Sequence, residues 1–206
     1  MAKRVGGTVG RAGAPTLEFR PLTAERWPDL EALFGARGAC GGCWCMTWRL
    51  KRSEFDRGKG EGNRKAFRAI VRSGVEPGVL AYAGSEPVGW CAVAPREAYT
   101  VLERSRVLAP VDERSVWSIS CLFVTRRMRR SGVSVPLIRA AVAHATAQGA
   151  EIVEAYPVEP YSAAMPAAFA WTGIVSAYKK AGFKEVLRRS RARPIMRFET
   201  ARRRKP

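Results

Sequence analysis

The apolar positions of the chain change period several times, and each change marks an element. Leu17 to Pro21 alternates apolar and polar residues and predicts a half-buried first strand. Trp27, Leu30, Leu33 and Phe34 fall at helical spacing and predict a helix over Thr23–Phe34, with Thr23 as its N-cap and Gly35 at its end. A polar helix from about Asn63 to Arg72 turns Phe67, Ile70 and Val71 toward the core. Gly78–Ala83 and Val88–Ala94 predict a hairpin closed by Gly84-Ser85-Glu86-Pro87. A short helix is expected over Thr100–Val107, and Ser115–Val124, the most strand-like run in the chain, is expected at the centre of a sheet. Val135, Ile138, Val142 and Ala145 predict a helix from Ser134 to Gln148, with Pro136 tolerated in its first turn and Gly149 ending it.

Glu151–Tyr156 is the next strand, followed by an Ala- and Pro-rich stretch up to Trp171. A helix over Gly173–Ala181, capped by Thr172 and ended by Gly182, precedes two closing strands at Phe183–Leu187 and Pro194–Phe198. The order is that of an α/β (α+β) chain with a mixed sheet and helices on its faces. No internal repeat is visible.

Composition narrows this picture only slightly. A chain of 206 residues, 47% hydrophobic and 26% charged, fits one domain with an ordinary core. No stretch of 18 apolar residues occurs, and Met1–Thr16 is basic and Gly-rich without an apolar signal region, so a cytoplasmic protein without membrane contact is expected. We expect a flexible basic leader over 1–16, one domain over 17–198 and a solvated basic tail over 199–206.

Lys and Arg number 36 against 18 Asp and Glu, a net charge of +18 that attracts polyanions of every kind. The arginines cluster at Arg126, Arg127, Arg129 and Arg130, at Arg188, Arg189, Arg191 and Arg193, and in the tail. Three of the five cysteines lie in Cys40-Gly-Gly-Cys43-Trp-Cys45. That spacing invites zinc, but the second half of a ligand set is missing: Cys91 and Cys121 stand in strand-like runs, and His144, the only histidine, lies in a helical stretch. No metal is expected.

The chemistry concentrates where the central strand runs through Thr125–Ser131 into Gly132, Val133 and Ser134 and opens a helix. Unpaired N–H groups, the helix dipole and a glycine that lets a phosphate approach the backbone make this an anion site. Arg129-Arg130-Ser131-Gly132-Val133-Ser134 resembles the R/Q-x-x-G-x-G/A signature of the GNAT superfamily, with Ser134 at the position usually held by Gly or Ala. Leu122-Phe123-Val124 resembles the strand end that precedes that signature, and Tyr178-Lys-Lys-Ala-Gly182-Phe183 resembles the family's later tyrosine helix.

The resemblance implies a mostly antiparallel sheet with helices on both faces, and acetyl-CoA as cosubstrate. Its pyrophosphate would sit on Arg129–Ser134 and its pantetheine arm along Leu122–Val124. It also implies direct attack by an amine on the thioester, with backbone N–H groups near Val124 polarising the carbonyl and Tyr178 as general acid. For a base, Glu154 or a water path is available. The acceptor, a small-molecule or peptide amine, is expected to be selected by the N-terminal third and the Tyr156–Trp171 loop. The Cys43–Arg49 loop is either a wall of that pocket or packing. A nucleic-acid-binding module built on the arginine runs is the disfavoured alternative, a GNAT-like domain that binds CoA without catalysis is another, and a homodimer stays open.

Overall fold

The computed structural model describes residues 16–160 and 165–200. The expected leader and tail fall outside them, apart from Thr16, Glu199 and Thr200. Strands β1 (Leu17–Pro21), β2 (Gly78–Ala83), β3 (Glu86–Pro95), β4 (Trp117–Val124), β5 (Ile152–Ala155), β6 (Lys184–Leu187) and β7 (Ile195–Glu199) form one sheet. Its order is β1-β2-β3-β4-β5-β7-β6, antiparallel everywhere except between β4 and β5. The mixed, mostly antiparallel sheet expected from the sequence is therefore present.

Helices α1 (Trp27–Phe34) and α3 (Glu61–Arg72) cover one face, burying Trp27, Leu30 and Phe67 against Leu80, Trp90 and Ala92 of β2 and β3. Helices α5 (Ser134–Ala147) and α6 (Val175–Ala181) cover the other, setting Leu137, Ile138, Ala141 and Tyr178 against Cys91, Val93, Ile119 and Met196. The two-residue period of the strands thus feeds two cores at once. Among the described residues, no helix is long and apolar enough to cross a membrane.

Several boundaries move from their expected places for visible reasons. Helix α1 starts at Trp27, where Pro28 fits the first turn, and Thr23 lies in the preceding turn. The β2–β3 loop is only Gly84-Ser85, with Gly84 at φ 61°, so β3 begins at Glu86; Pro87, which has no N–H to offer, sits beside a bulge. Helix α4 (Thr100–Glu103) is a single turn, because Arg96 takes the carbonyls of Leu102 and Leu108. Thr172 does not cap α6, whose N-cap is Ile174. Helix α2 (Arg52–Arg57) buries no residue, and without an apolar stripe it left no pattern to read.

The parallel pair is short and electrostatically pinned. It joins Trp117, Ser118 and Ile119 to Val153, Glu154 and Ala155. Glu154 is fully buried, and its carboxylate accepts from Tyr156 Oη (2.6 Å), Arg96 Nη1 (3.3 Å) and Arg197 Nε (2.8 Å). Arg197 also forks onto Asp112 at 2.7 and 3.1 Å, and its guanidinium holds that carboxyl well below the ordinary range. Tyr156 in turn meets Ser118 at 2.9 Å, tying β5 back to β4. Removing one partner of such a cluster leaves a buried charge uncompensated. Replacing Glu154 by Gln should therefore lower the unfolding free energy by about 3 kcal/mol in urea titration, with two-state behaviour preserved.

Candidate active site

Beyond Ile119, β4 loses its partner on the β5 side. A bulge marks the same point: Ala92 pairs with Cys121 and Val93 with Ile119, which leaves Ser120 extra on β4. The rest of the strand therefore presents an unpaired edge. N–H groups two residues apart leave a strand on the same side. Thr125 N–H bonds Val88 O on the β3 side, and Leu122 N–H bonds Trp171 O at 2.7 Å on the open side. Val124 N–H must follow Leu122 into the gap, whereas Phe123 faces β3. One of the donors expected to meet the cofactor arm, that of Leu122, is thus taken by the 167–171 turn.

The strand end passes into a loop whose donors are unused. Among the described residues, the N–H groups of Ser131, Gly132, Val133 and Ser134 find no acceptor. Gly132 stands at φ 86°, and a Cβ built there would point into open space, so the glycine serves the backbone path and leaves room for a ligand. Arg130 takes the same left-handed conformation at φ 64°. Arg129 folds back so that its Nε donates to Val124 O at 3.1 Å, Ser131 Oγ donates to Met128 O at 2.6 Å, and Val133 is buried under the loop. Exposed N–H groups at the head of the 14-residue α5, with arginines at the rim, form a phosphate cradle.

A cavity of about 870 Å³ joins this cradle to the gap. Ser120 to Val124, Arg129 and Ser134 line one side of it; Cys43, Cys45, Thr47, Trp48 and the 168–171 turn line the other. The cysteine loop does two jobs: Trp44 and Met46 enter the core, Thr47 and Trp48 line the cavity, and Cys45 belongs to both. Its backbone is strained, with Ala39, Trp44 and Cys45 all at positive φ, and is held by Asn63, whose amide donates to Gly42 O. The Cys45 thiol is kept below its ordinary range by donation from the Cys121 thiol and the Trp90 indole (3.1 Å), with the Arg49 guanidinium nearby. Burial pushes Cys43 up to about 11. Among the described residues, no three metal-ligating side chains converge.

The two expected catalytic residues are separated. Tyr178 lies under the cavity floor: its ring abuts Gly173, as does Leu122, and its hydroxyl donates to Thr172 O at 3.0 Å. Burial raises that hydroxyl well above its usual range, so it stays protonated. Glu154 does not line the cavity, and its oxygens accept from two guanidinium groups and a phenol. Glu154 is buried in that network, apart from the cavity an amine would enter. His144 is remote as well, bonding Glu76 O at 3.2 Å. The Arg188–Arg193 run is not a free basic patch either. Arg188 pairs with Glu185 and Glu159, Arg189 donates to the carbonyls of Ala109 and Pro110, and Arg193 donates to the Tyr156 carbonyl and the Thr172 hydroxyl.

A bulged strand, a gap beside it and a phosphate cradle at its end agree with the comparison to known proteins: the acetyltransferase (GNAT) family model matches residues 44–183. The chain belongs to the GNAT acetyltransferase family. No curated protein sequence matches this GNAT chain. Its fold is similar to that of PaiA N-acetyltransferase from Thermoplasma acidophilum, solved with coenzyme A, at 16% identity and TM-score 0.51 over 90% of this chain and 99% of that one. A GNAT acetyltransferase from Streptococcus agalactiae is similar at 11% identity and TM-score 0.54, over 90% and 96%. The NatC complex bound to Gag peptide and CoA is similar at 10% identity and TM-score 0.52, over 90% and 99%. At such identities these likenesses speak for the fold alone.

Gly173 gives the site of this GNAT chain a direct test. At φ 81°, a Cβ there would stand 2.7 Å from Tyr178 Cε2 and 3.2 Å from a Leu122 methyl. Gly173→Ala should cost about 1–3 kcal/mol in denaturant unfolding, through the strained backbone and the displaced ring.

Proposed function

We propose that the protein is an N-acetyltransferase that moves the acetyl group of acetyl-CoA to an amine by direct attack. The observation that carries this reading is the continuity of the cavity: a phosphate cradle at Arg129–Ser134 opens onto the unpaired edge of β4, and that edge onto an aromatic pocket. The donor set fits a pyrophosphate, since the N–H groups of Ser131 to Ser134 are unused and a side chain is absent at Gly132, where the ligand would approach. Coenzyme A is bound by the Thermoplasma acidophilum enzyme and by the NatC complex, which supports the same ligand here.

Acetyl-CoA would supply the activated thioester, and the chain's own groups would do the rest. Arg129 and Arg130 neutralise phosphate, with Arg129 held by its bond to Val124 O. Val124 N–H, facing the gap, is placed to polarise the thioester carbonyl. The amine lone pair attacks the carbonyl carbon, the C–S bond breaks, the departing thiolate takes a proton from Tyr178 once that hydroxyl leaves Thr172 O, and the proton shed by the acylated nitrogen passes through water to restore the phenol. No carboxylate lines the cavity among its described residues, whose charged members are Arg52, Lys59 and Arg129. A dedicated base is not required: desolvation and neighbouring positive charge both favour the neutral form of an entering amine.

Acetyl-CoA should raise the Tm, as a ligand selective for the folded state does, and Gly132→Glu should abolish the shift while the variant stays folded by circular dichroism. An unchanged shift would remove the loop from the site. Tyr178→Phe keeps the ring and removes the proton donor, so kcat should fall about 10- to 1000-fold with acetyl-CoA affinity unaltered. Lost stability with kcat retained would reduce the hydroxyl to a packing role.

A further inference from the structure

The phenol nominated as acid and the strand edge beside it are both shut by the same short piece of backbone. Leu122 N–H, on the open side of β4, donates to Trp171 O at 2.7 Å, and the Tyr178 hydroxyl donates to Thr172 O at 3.0 Å. Trp171 and Thr172 are neighbours, so consecutive carbonyls occupy two of the groups on which the reaction draws. Gly173 completes the stretch. It lines the cavity, as Leu122 does, whereas Tyr178 does not. A Cβ at Gly173 would meet the Tyr178 ring and a Leu122 methyl, so this backbone is the partition between the phenol and the cavity. The hydroxyl reaches a departing thiolate only if the partition moves.

The stretch is held firmly by its side chains and weakly by its backbone. The Trp171 ring stands edge-on to Trp48 at 5.0 Å, and Thr172 Oγ1 accepts from Arg193 Nη1 at 3.2 Å. Gly173 O accepts from Val158 N–H at 2.9 Å, which fixes the entry to α6. On the other side, the 166–170 turn closes on itself, with Phe169 N–H donating to Pro166 O and Gly173 N–H to Ala170 O. Among the described residues, the Leu122–Trp171 bond is the one backbone hydrogen bond that joins 166–172 to the sheet. Phe169 is 61% exposed, so little buried surface restrains the turn. Gly173, at φ 81°, can absorb rotation of the two peptide planes that carry these carbonyls.

We infer that the Trp171–Gly173 backbone is a latch worked by the pantetheine arm of acetyl-CoA. A carbonyl of the arm takes Leu122 N–H from Trp171 O, the two peptide planes turn, and Thr172 O withdraws from Tyr178, which leaves the phenol to face the thioester sulfur. Hydrogen bonds are exchanged without loss. Leu122 N–H changes one carbonyl for another, the released carbonyls turn to water in the opened partition, and the phenol changes Thr172 O for the sulfur. A ligand that fills only the phosphate cradle at Arg129–Ser134 has no acceptor to offer Leu122 and leaves the latch shut. The acid is thus presented only when the thioester is in place, driven by the arm's greater affinity for the open form.

The inference rests on the acetyltransferase reading above, and its test separates the two. Crystal structures of the full chain are determined with ADP, which carries a pyrophosphate and no pantetheine, and with CoA. The ADP complex should keep both bonds. The CoA complex should have neither, with Leu122 N–H on the pantetheine arm and the Tyr178 hydroxyl turned to the thiol. In solution, tyrosine labelled with 13C at Cζ reports the same event: the Tyr178 resonance, assigned by its loss in Tyr178→Phe, should shift with CoA and hold with ADP. A pantetheine arm seated beside an intact Leu122–Trp171 bond overturns the inference and leaves the acetyltransferase standing. So does an open strand edge with Tyr178 still on Thr172 O, a Tyr178 resonance unmoved by CoA at a concentration that saturates the rise in Tm, or a latch opened by ADP alone. A chain whose Tm and cradle respond to neither CoA nor acetyl-CoA overturns the functional reading, and the latch with it.

Discussion

The parting of β4 from β5 after three residue pairs is the constraint from which the rest of the site follows. In a closed sheet the edge of β4 beyond Ile119 would be spent on strand pairing, and nothing could enter between the two helical layers. Two opposed devices keep the parting in place. On the closed side, Glu154, Tyr156 and Ser118 lock the strands through buried hydrogen bonds, with Arg96 and Arg197 clamping the carboxylate from the flanks. On the open side, the bulge at Ser120 turns β4 away. A charge cluster of this kind contributes little net stability against a well-packed apolar replacement. Its value lies in position, because it ends the pairing at one residue and no other.

What lies beyond the parting is a series of groups that folding leaves without partners. The N–H groups of Ser131 to Ser134 lead into the cavity at Ser134, whereas the unpaired atoms of Arg49 and the Tyr99 hydroxyl are sealed from solvent. Buried donors such as the Arg96 fork and the Tyr178 hydroxyl are paired, whereas Thr125 Oγ1, next to Val124, is buried without a partner. The cradle is thus electron-poor and suited to phosphate, with a largely apolar pocket beyond it. Backbone strain is concentrated in the same place, at Ala39, Trp44, Cys45 and Arg130.

Part of the positive charge is built into this architecture. Arg96 and Arg197 are internal, Arg188, Arg189 and Arg193 hold loops and carbonyls, and Arg129 returns to the end of β4. Six of the 36 basic residues thus hold segments of the fold together.

The local pattern alone determined a good part of this protein. Alternation placed β1, apolar runs bounded by turn residues placed β2, β3 and β4, helical spacing placed α1, α3 and α5, and the run from Leu122 to Ser134 marked the phosphate cradle, because all these signals depend on residues within one or two turns of each other. Only the tertiary structure decided what Glu154 and Arg49 are. Both are polar residues in apolar surroundings, and a one-dimensional reading assigns such a residue by its neighbours in sequence. Their roles are set by partners 43 to 58 residues away for Glu154, and for Arg49 by a tyrosine brought in from β3's far end whose ring covers the cation without satisfying it. Whether a buried charge is met or left waiting depends on which segments the sheet brings beside it, and that is a property of long-range packing, which leaves no period in the sequence.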